Sequence, residues 1–134
     1  MNTFPLKIVT PDGIAFEGQV EALTVRTTSG DIGILAGHIN CVAPLGMGRA
    51  TVVIDGKPRH GACIGGMLSV LGGAVSLVPT TFEWAEDIDL DRAELAYNRA
   101  QAVLQSKDSS KTDIALAEAR LKRALVRKSI RSGN

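Results

Sequence analysis

The sequence predicts an α+β chain, an N-terminal antiparallel β-sandwich over residues 1–86 followed by a C-terminal antiparallel two-helix hairpin over residues 87–134. Three observations predict it. Short β-branched runs alternate with turn residues as far as Trp84, and nearly all of the fourteen glycines lie before residue 74, where they punctuate strands and argue against long helices. After Ile88 the apolar period changes to steps of three and four, the spacing of one helical face. The charge is also partitioned: residues 83–94 carry six carboxylates against one arginine, and residues 118–134 carry six basic side chains against one glutamate, in a chain of net charge +1. Acidic joint and basic tail are expected to face each other.

The elements follow in order. Leu6 to Val9 ends at Thr10-Pro11-Asp12-Gly13, Val20 to Thr27 stops at Ser29-Gly30-Asp31, and Ile32 to Leu35 runs into Gly37-His38. Arg49 to Ile54 followed by Asp55-Gly56 is a hairpin signal, because both central residues of a type I′ turn need positive φ. Met67 to Leu71 and Val75 to Val78, parted by Gly72-Gly73, read as another. Eight to ten short strands at this spacing make a sandwich or a flattened barrel.

In the second half, Ala93, Ala96, Tyr97, Ala100, Val103 and Leu104 share one face of a helix from about Asp89 to Ser106. Asp89 is its expected N-cap, accepting from the backbone N–H of Arg92, with Ile88 stapled onto Ala93. Lys107 to Lys111 is a polar connector short enough for antiparallel neighbours. Thr112 is the expected cap of a second helix, whose apolar face is Ile114, Ala117, Leu121, Ala124 and Leu125. Such small stripes bury little area, so the hairpin is expected to be mobile.

Composition excludes several function classes. No run approaches the length of a bilayer span, and Met1 to Leu6 lacks the basic and apolar regions of a secretory signal, so no membrane insertion is expected. Cys41 and Cys63 are too few for a disulfide framework and read as buried thiols in a reducing compartment. One Trp, one Tyr and three Phe offer little to stack on bases, and the net charge gives no global attraction to nucleic acid. His38 has no partners for a triad or a ligand set, and the glycine pairs lack the lysine of a phosphate loop. No nucleophile, base and oxyanion combination stands out, so no catalytic residues and no metal ligands are assigned.

Arginines make the one constellation with chemistry. Arg92 and Arg99 lie seven apart on the first helix and Arg123 and Arg127 four apart on the second, so each pair shares a face. A hairpin centred near Ser109 sets residue 92 opposite roughly 126, which gathers Arg92, Arg123 and Arg127 at the open end with Arg99 one to two turns along. Forked guanidinium donors suit a polyphosphate, and Glu83 and Asp89 suit a ribose or a base amine. The competing reading is a set of surface salt bridges between acidic joint and basic tail. A third is a basic helix that meets an acidic partner.

Several stretches resemble the ε subunit family of the F-type ATP synthase. Thr10-Pro11, Phe16-Glu17-Gly18 and Ser29-Gly30-Asp31-Ile32-Gly33-Ile34-Leu35-Ala36-Gly37-His38 are similar to its N-terminal signature, and Gly65-Gly66 to its second hairpin. Most specific is Ile88-Asp89-Leu90-Asp91-Arg92-Ala93, which resembles the ATP-binding motif of bacterial members; Glu83, Arg99, Arg123 and Arg127 match the rest of that binding set. The resemblance implies a non-catalytic part of the central rotor stalk that couples proton translocation to ATP synthesis. It implies contact with the γ subunit and the membrane c-ring through the β domain, and with β and α subunits through the basic C-terminal helix when extended, which restrains ATP hydrolysis. ATP, the implied regulatory ligand with or without Mg²⁺, would favour the folded hairpin. Two features depart from the pattern: Ile39 to Ala43 separate His38 from Pro44, and Phe82 and Trp84 are bulky around Glu83. The rivals are a purely structural stalk component and a nucleic-acid-binding protein using its basic tail. Without a transit-like segment, the expected location is peripheral, on the cytoplasmic face of a bacterial plasma membrane.

Overall fold

In the computed structural model, which describes residues 2–132, the chain divides after Trp84 into two compact units. The first holds ten strands: β1 (Phe4–Thr10), β2 (Gly13–Val20), β3 (Ala22–Thr27), β4 (Gly30–Leu35), β5 (Cys41–Pro44), β6 (Met47–Ile54), β7 (Lys57–Ile64), β8 (Met67–Leu71), β9 (Ala74–Val78) and β10 (Thr81–Trp84). They form two five-stranded sheets, in the orders β2-β1-β9-β8-β5 and β10-β7-β6-β3-β4. The predicted sandwich is there. Every neighbouring pair is antiparallel except β1 and β9, which run parallel with Lys7 beside Ser76.

Alternation decides which way each strand faces. Phe4, Leu6 and Ile8 of β1, Leu68 and Val70 of β8, and Val75 and Leu77 of β9 point inward and meet Leu23, Val25, Val52 and Trp84 of the other sheet. Trp84 donates its indole N–H to the Ala15 carbonyl and meets Phe16 and Phe82 edge on. The bulky residues around Glu83 are therefore part of the sandwich core.

Turns follow their chemistry. Asp55 and Gly56 have φ of 51° and 77°, as a type I′ turn requires, and the Glu21 carboxylate accepts from the Gly56 N–H. Gly65-Gly66 is not a hairpin: it carries the chain from β7 in one sheet to β8 in the other. Three such crossings lie side by side, because Leu45 N–H donates to Gly66 O, Gly65 N–H to Gly46 O, and Thr80 N–H to Ile64 O. The run from Val20 to Thr27 is likewise two strands, split at Glu21.

Both cysteines are free, but only Cys63 is buried; Cys41 is half-buried. Desolvation pushes the Cys63 thiol up from 9.0 to about 12. Thiol reagents should therefore modify Cys41 in the folded protein and reach Cys63 only after unfolding, with mass spectrometry as the readout. Because the folded value is the higher one, the unfolded chain loses this proton first, and stability should fall as pH rises from 9.0 towards about 12.

The second unit begins with a 3₁₀ turn, Ala85–Asp87, followed by α1 (Leu90–Gln105) and α2 (Lys111–Arg131). Asp89 caps α1 as expected, its Oδ1 accepting from Arg92 N–H at 3.1 Å. The cap of α2 is Ser110 and not Thr112. Ser110 Oγ accepts from Asp113 N–H at 3.1 Å while the Asp113 carboxylate accepts from Ser110 N–H at 3.2 Å, so two orphan donors are satisfied at once. Thr112, two residues into the helix, has no such reciprocal partner. Ser110→Ala should cost about 1 kcal/mol of stability, read from the urea midpoint.

Contacts at both ends make the helices antiparallel: Val103 O accepts from Ser109 Oγ near the connector, and Arg131 Nε donates to Ile88 O at the other end. The seam is alanine-rich, with Ala93, Ala100, Ala117 and Ala124 all buried. Ile114 and Leu125, expected on that seam, are exposed instead, because the inward stripe runs through Ala117, Leu121, Ala124 and Lys128.

Candidate functional site

Arg92, Arg99 and Arg123 each immediately precede a buried seam alanine, Ala93, Ala100 and Ala124 respectively. At 3.6 residues per turn each therefore lies about 100° to the same rotational side of its own seam position. Arg127 joins Arg123 one turn along. Two antiparallel helices that face each other present equal rotational offsets on one side of the pair, so all four arginines share one flank of the hairpin.

Register fixes their heights. Lys128 Nζ is 3.1 Å from Glu94 Oε1 and Arg131 donates to Ile88 O, so the end of α2 lies beside the start of α1, with Arg92 and Arg127 nearest that end and Arg99 and Arg123 further along. From Arg92 to Arg99 is about 10 Å along the axis at 1.5 Å per residue. The Arg131 to Ile88 hydrogen bond is in keeping with the sequence expectation, which paired 92 with roughly 126. Glu94 pairs with Lys128 across the hairpin, as the salt-bridge reading expects, and Glu86 and Arg127 also have partners.

The other assigned residues have visible local roles. Ile88 and Ala93 are buried, and Ile88 lends its carbonyl to Arg131. Asp89 spends one carboxylate oxygen on the α1 cap. Glu83 belongs to β10 in the first unit, opposite Ala62. Sequence reasoning missed Lys128, Tyr97 and Glu94 as a group, since no spacing within one helix reveals a contact made across two.

A second region stands on the outward face of the β2-β1-β9-β8-β5 sheet. Register places Pro44 beside Met67, Met67 beside Val78, and Val9 beside Ile14, so an apolar row crosses all five strands. It is exposed: Met67 by 43%, Val78 by 51% and Ile14 by 59%. The adjoining row is Val42, Ser69, Ser76, Lys7 and Glu17, whose small serines keep the centre of the face flat. Contiguous exposed apolar patches on soluble proteins mark interaction sites as a class.

The comparisons with known proteins fall on both units. Residues 3–85 match the model of the ATP synthase delta/epsilon chain β-sandwich domain, and residues 86–129 that of its long α-helix domain. The chain belongs to the ATP synthase delta/epsilon chain family. It is 43% identical over 127 residues to the ATP synthase epsilon chain of Bacillus velezensis, which covers 95% of this chain and 96% of that one. The epsilon chain of Caldanaerobacter subterraneus is 40% identical over 132 residues, 98% and 95% of the two chains. Among solved structures, a chain of the Euglena gracilis mitochondrial ATP synthase, in an assembly of OSCP, F1 and c-ring, matches with a TM-score of 0.79 at 28% identity, over 90% of this chain and 76% of that one. An epsilon-family chain is a stalk subunit of the ATP synthase and is not itself a catalyst. No helix among the described residues is long and apolar enough to cross a membrane.

Proposed function

We propose that this epsilon-family chain is an ATP-sensitive regulator in the rotor stalk. The observation that carries the proposal is the single flank shared by Arg92, Arg99, Arg123 and Arg127. Guanidinium forks spread over about 10 Å suit a chain of phosphates, each bidentate contact adding charge-assisted hydrogen bonds. Asp89 supplies an acceptor for the sugar or base, while Ile88 and Ala93 pack the start of α1 beneath it. Because ATP contacts both helices, it favours the hairpin over any state in which they part.

In this reading the apolar sheet face, the row from Pro44 to Ile14, docks the β unit onto the γ subunit and the c-ring. When α2 leaves α1, its basic residues meet β and α subunits and restrain ATP hydrolysis. The chain sits peripherally on the cytoplasmic face of a bacterial plasma membrane. Calorimetric titration of the whole chain with ATP, against ADP and GTP, tests the nucleotide part. Saturable binding that prefers ATP supports it. No heat up to millimolar ATP would reduce the subunit to a structural stalk component whose arginines serve a partner protein.

A further inference from the structure

We infer that Lys128 is the latch of the helical hairpin, holding the C-terminal end of α2 onto α1 and setting how often the two helices part. Its ammonium lies 4.3 Å above the centroid of the Tyr97 ring and 3.1 Å from Glu94 Oε1. One cation thus makes two different contacts with the facing helix, a cation–π stack and an ion pair, and its side chain is only 27% exposed. Tyr97 is itself fixed, since its phenol oxygen accepts from Gln101 Nε2 at 2.9 Å. The ring is presented to the ammonium in one orientation.

The position makes the contact matter. The seam is otherwise rich in alanine, which gives close approach and little buried area per residue. On the opposite flank Arg92 and Arg99 of α1 carry the same charge as Arg123 of α2, so no attraction between these three closes that edge. Glu94 and Tyr97 lie three apart on α1, so Lys128 bridges one turn of that helix on the flank away from the arginines. The hairpin is clamped along the edge that carries Lys128.

Amide exchange of the whole chain without nucleotide tests the latch, so a failure of ATP binding leaves the result unaffected. Lys128→Met keeps the helix propensity and the aliphatic stem while removing the charge. Protection in α1 and α2 should drop about five- to tenfold, close to 1 kcal/mol at 1.4 kcal/mol per tenfold. Tyr97→Leu should cause a smaller drop, because the Glu94 pair remains, and the double variant should lose little more than Lys128→Met alone, because the stack is then already gone. Protection in the β unit is the internal control. Unchanged hairpin protection in Lys128→Met, or fully additive losses in the double variant, would overturn the inference.

Discussion

Arg92→Ala and Arg123→Ala should each raise the Kd for ATP by about ten- to a hundredfold. A hydrogen bond to a charged group contributes about 1.5–3 kcal/mol, and 1.4 kcal/mol is tenfold in affinity. The two residues sit on different helices, so equal sensitivity to both means that one ligand spans the seam. Lys122→Ala is the matched control: Lys122 adjoins Arg123 in sequence, is exposed, and points away from the shared flank. It removes the same charge and should leave the affinity within about twofold, since exposed charges are screened within roughly 8–10 Å at ordinary salt. Arg99→Lys separates fork from charge, because lysine keeps the cation and loses the bidentate geometry. If Lys122→Ala weakens binding as much as Arg123→Ala, the effect is diffuse attraction and no site exists on that flank.

Gly66→Ala should be the most damaging single methyl in the β unit. Gly66 has φ of 96°, outside the region an L side chain tolerates, and a Cβ there would collide with the Val78 carbonyl oxygen. No flexible side chain can yield, because the obstacle is backbone in the neighbouring crossing. The crossings at 45–46, 65–66 and 79–80 share hydrogen bonds, so a shift in one strains the others. A loss of about 3 kcal/mol or more is expected in urea unfolding, against about 0.5 kcal/mol for an exposed surface change. A midpoint equal to that of the parent chain would show that the crossings relax freely.

What the sequence disclosed followed the strength of its periodic signals. The turns at Asp55-Gly56 and Gly72-Gly73 were legible because positive φ has a narrow residue chemistry, and the Asp89 cap was legible because one carboxylate acts on its own helix. The strands that carried no clear signal, β2, β5 and β10, lie at sheet edges, where one neighbour is missing and burial no longer alternates cleanly. Ser110, not the expected Thr112, caps α2, and Ser110-x-x-Asp113 spells the capping box. The inter-helix register does not depend on which residue caps α2, and the Arg131 to Ile88 contact keeps it close to the expected one. The arginines' common flank follows from each position on its own helix. Contacts made between helices, such as Lys128 on Tyr97, left no trace in either periodicity.

The parallel pairing of β1 with β9 bears on how the chain is made. β1 ends at Thr10 and its partner begins at Ala74, so the middle of that sheet closes across most of the β unit. A chain leaving the ribosome at about 5–20 residues per second exposes one edge of β1 for several seconds before β9 arrives. The hairpin behind it needs only neighbours in sequence and forms far sooner once released. Synthesis therefore presents an unfinished sheet first and a finished helical pair soon after, and the vulnerable interval for misassembly belongs to β1.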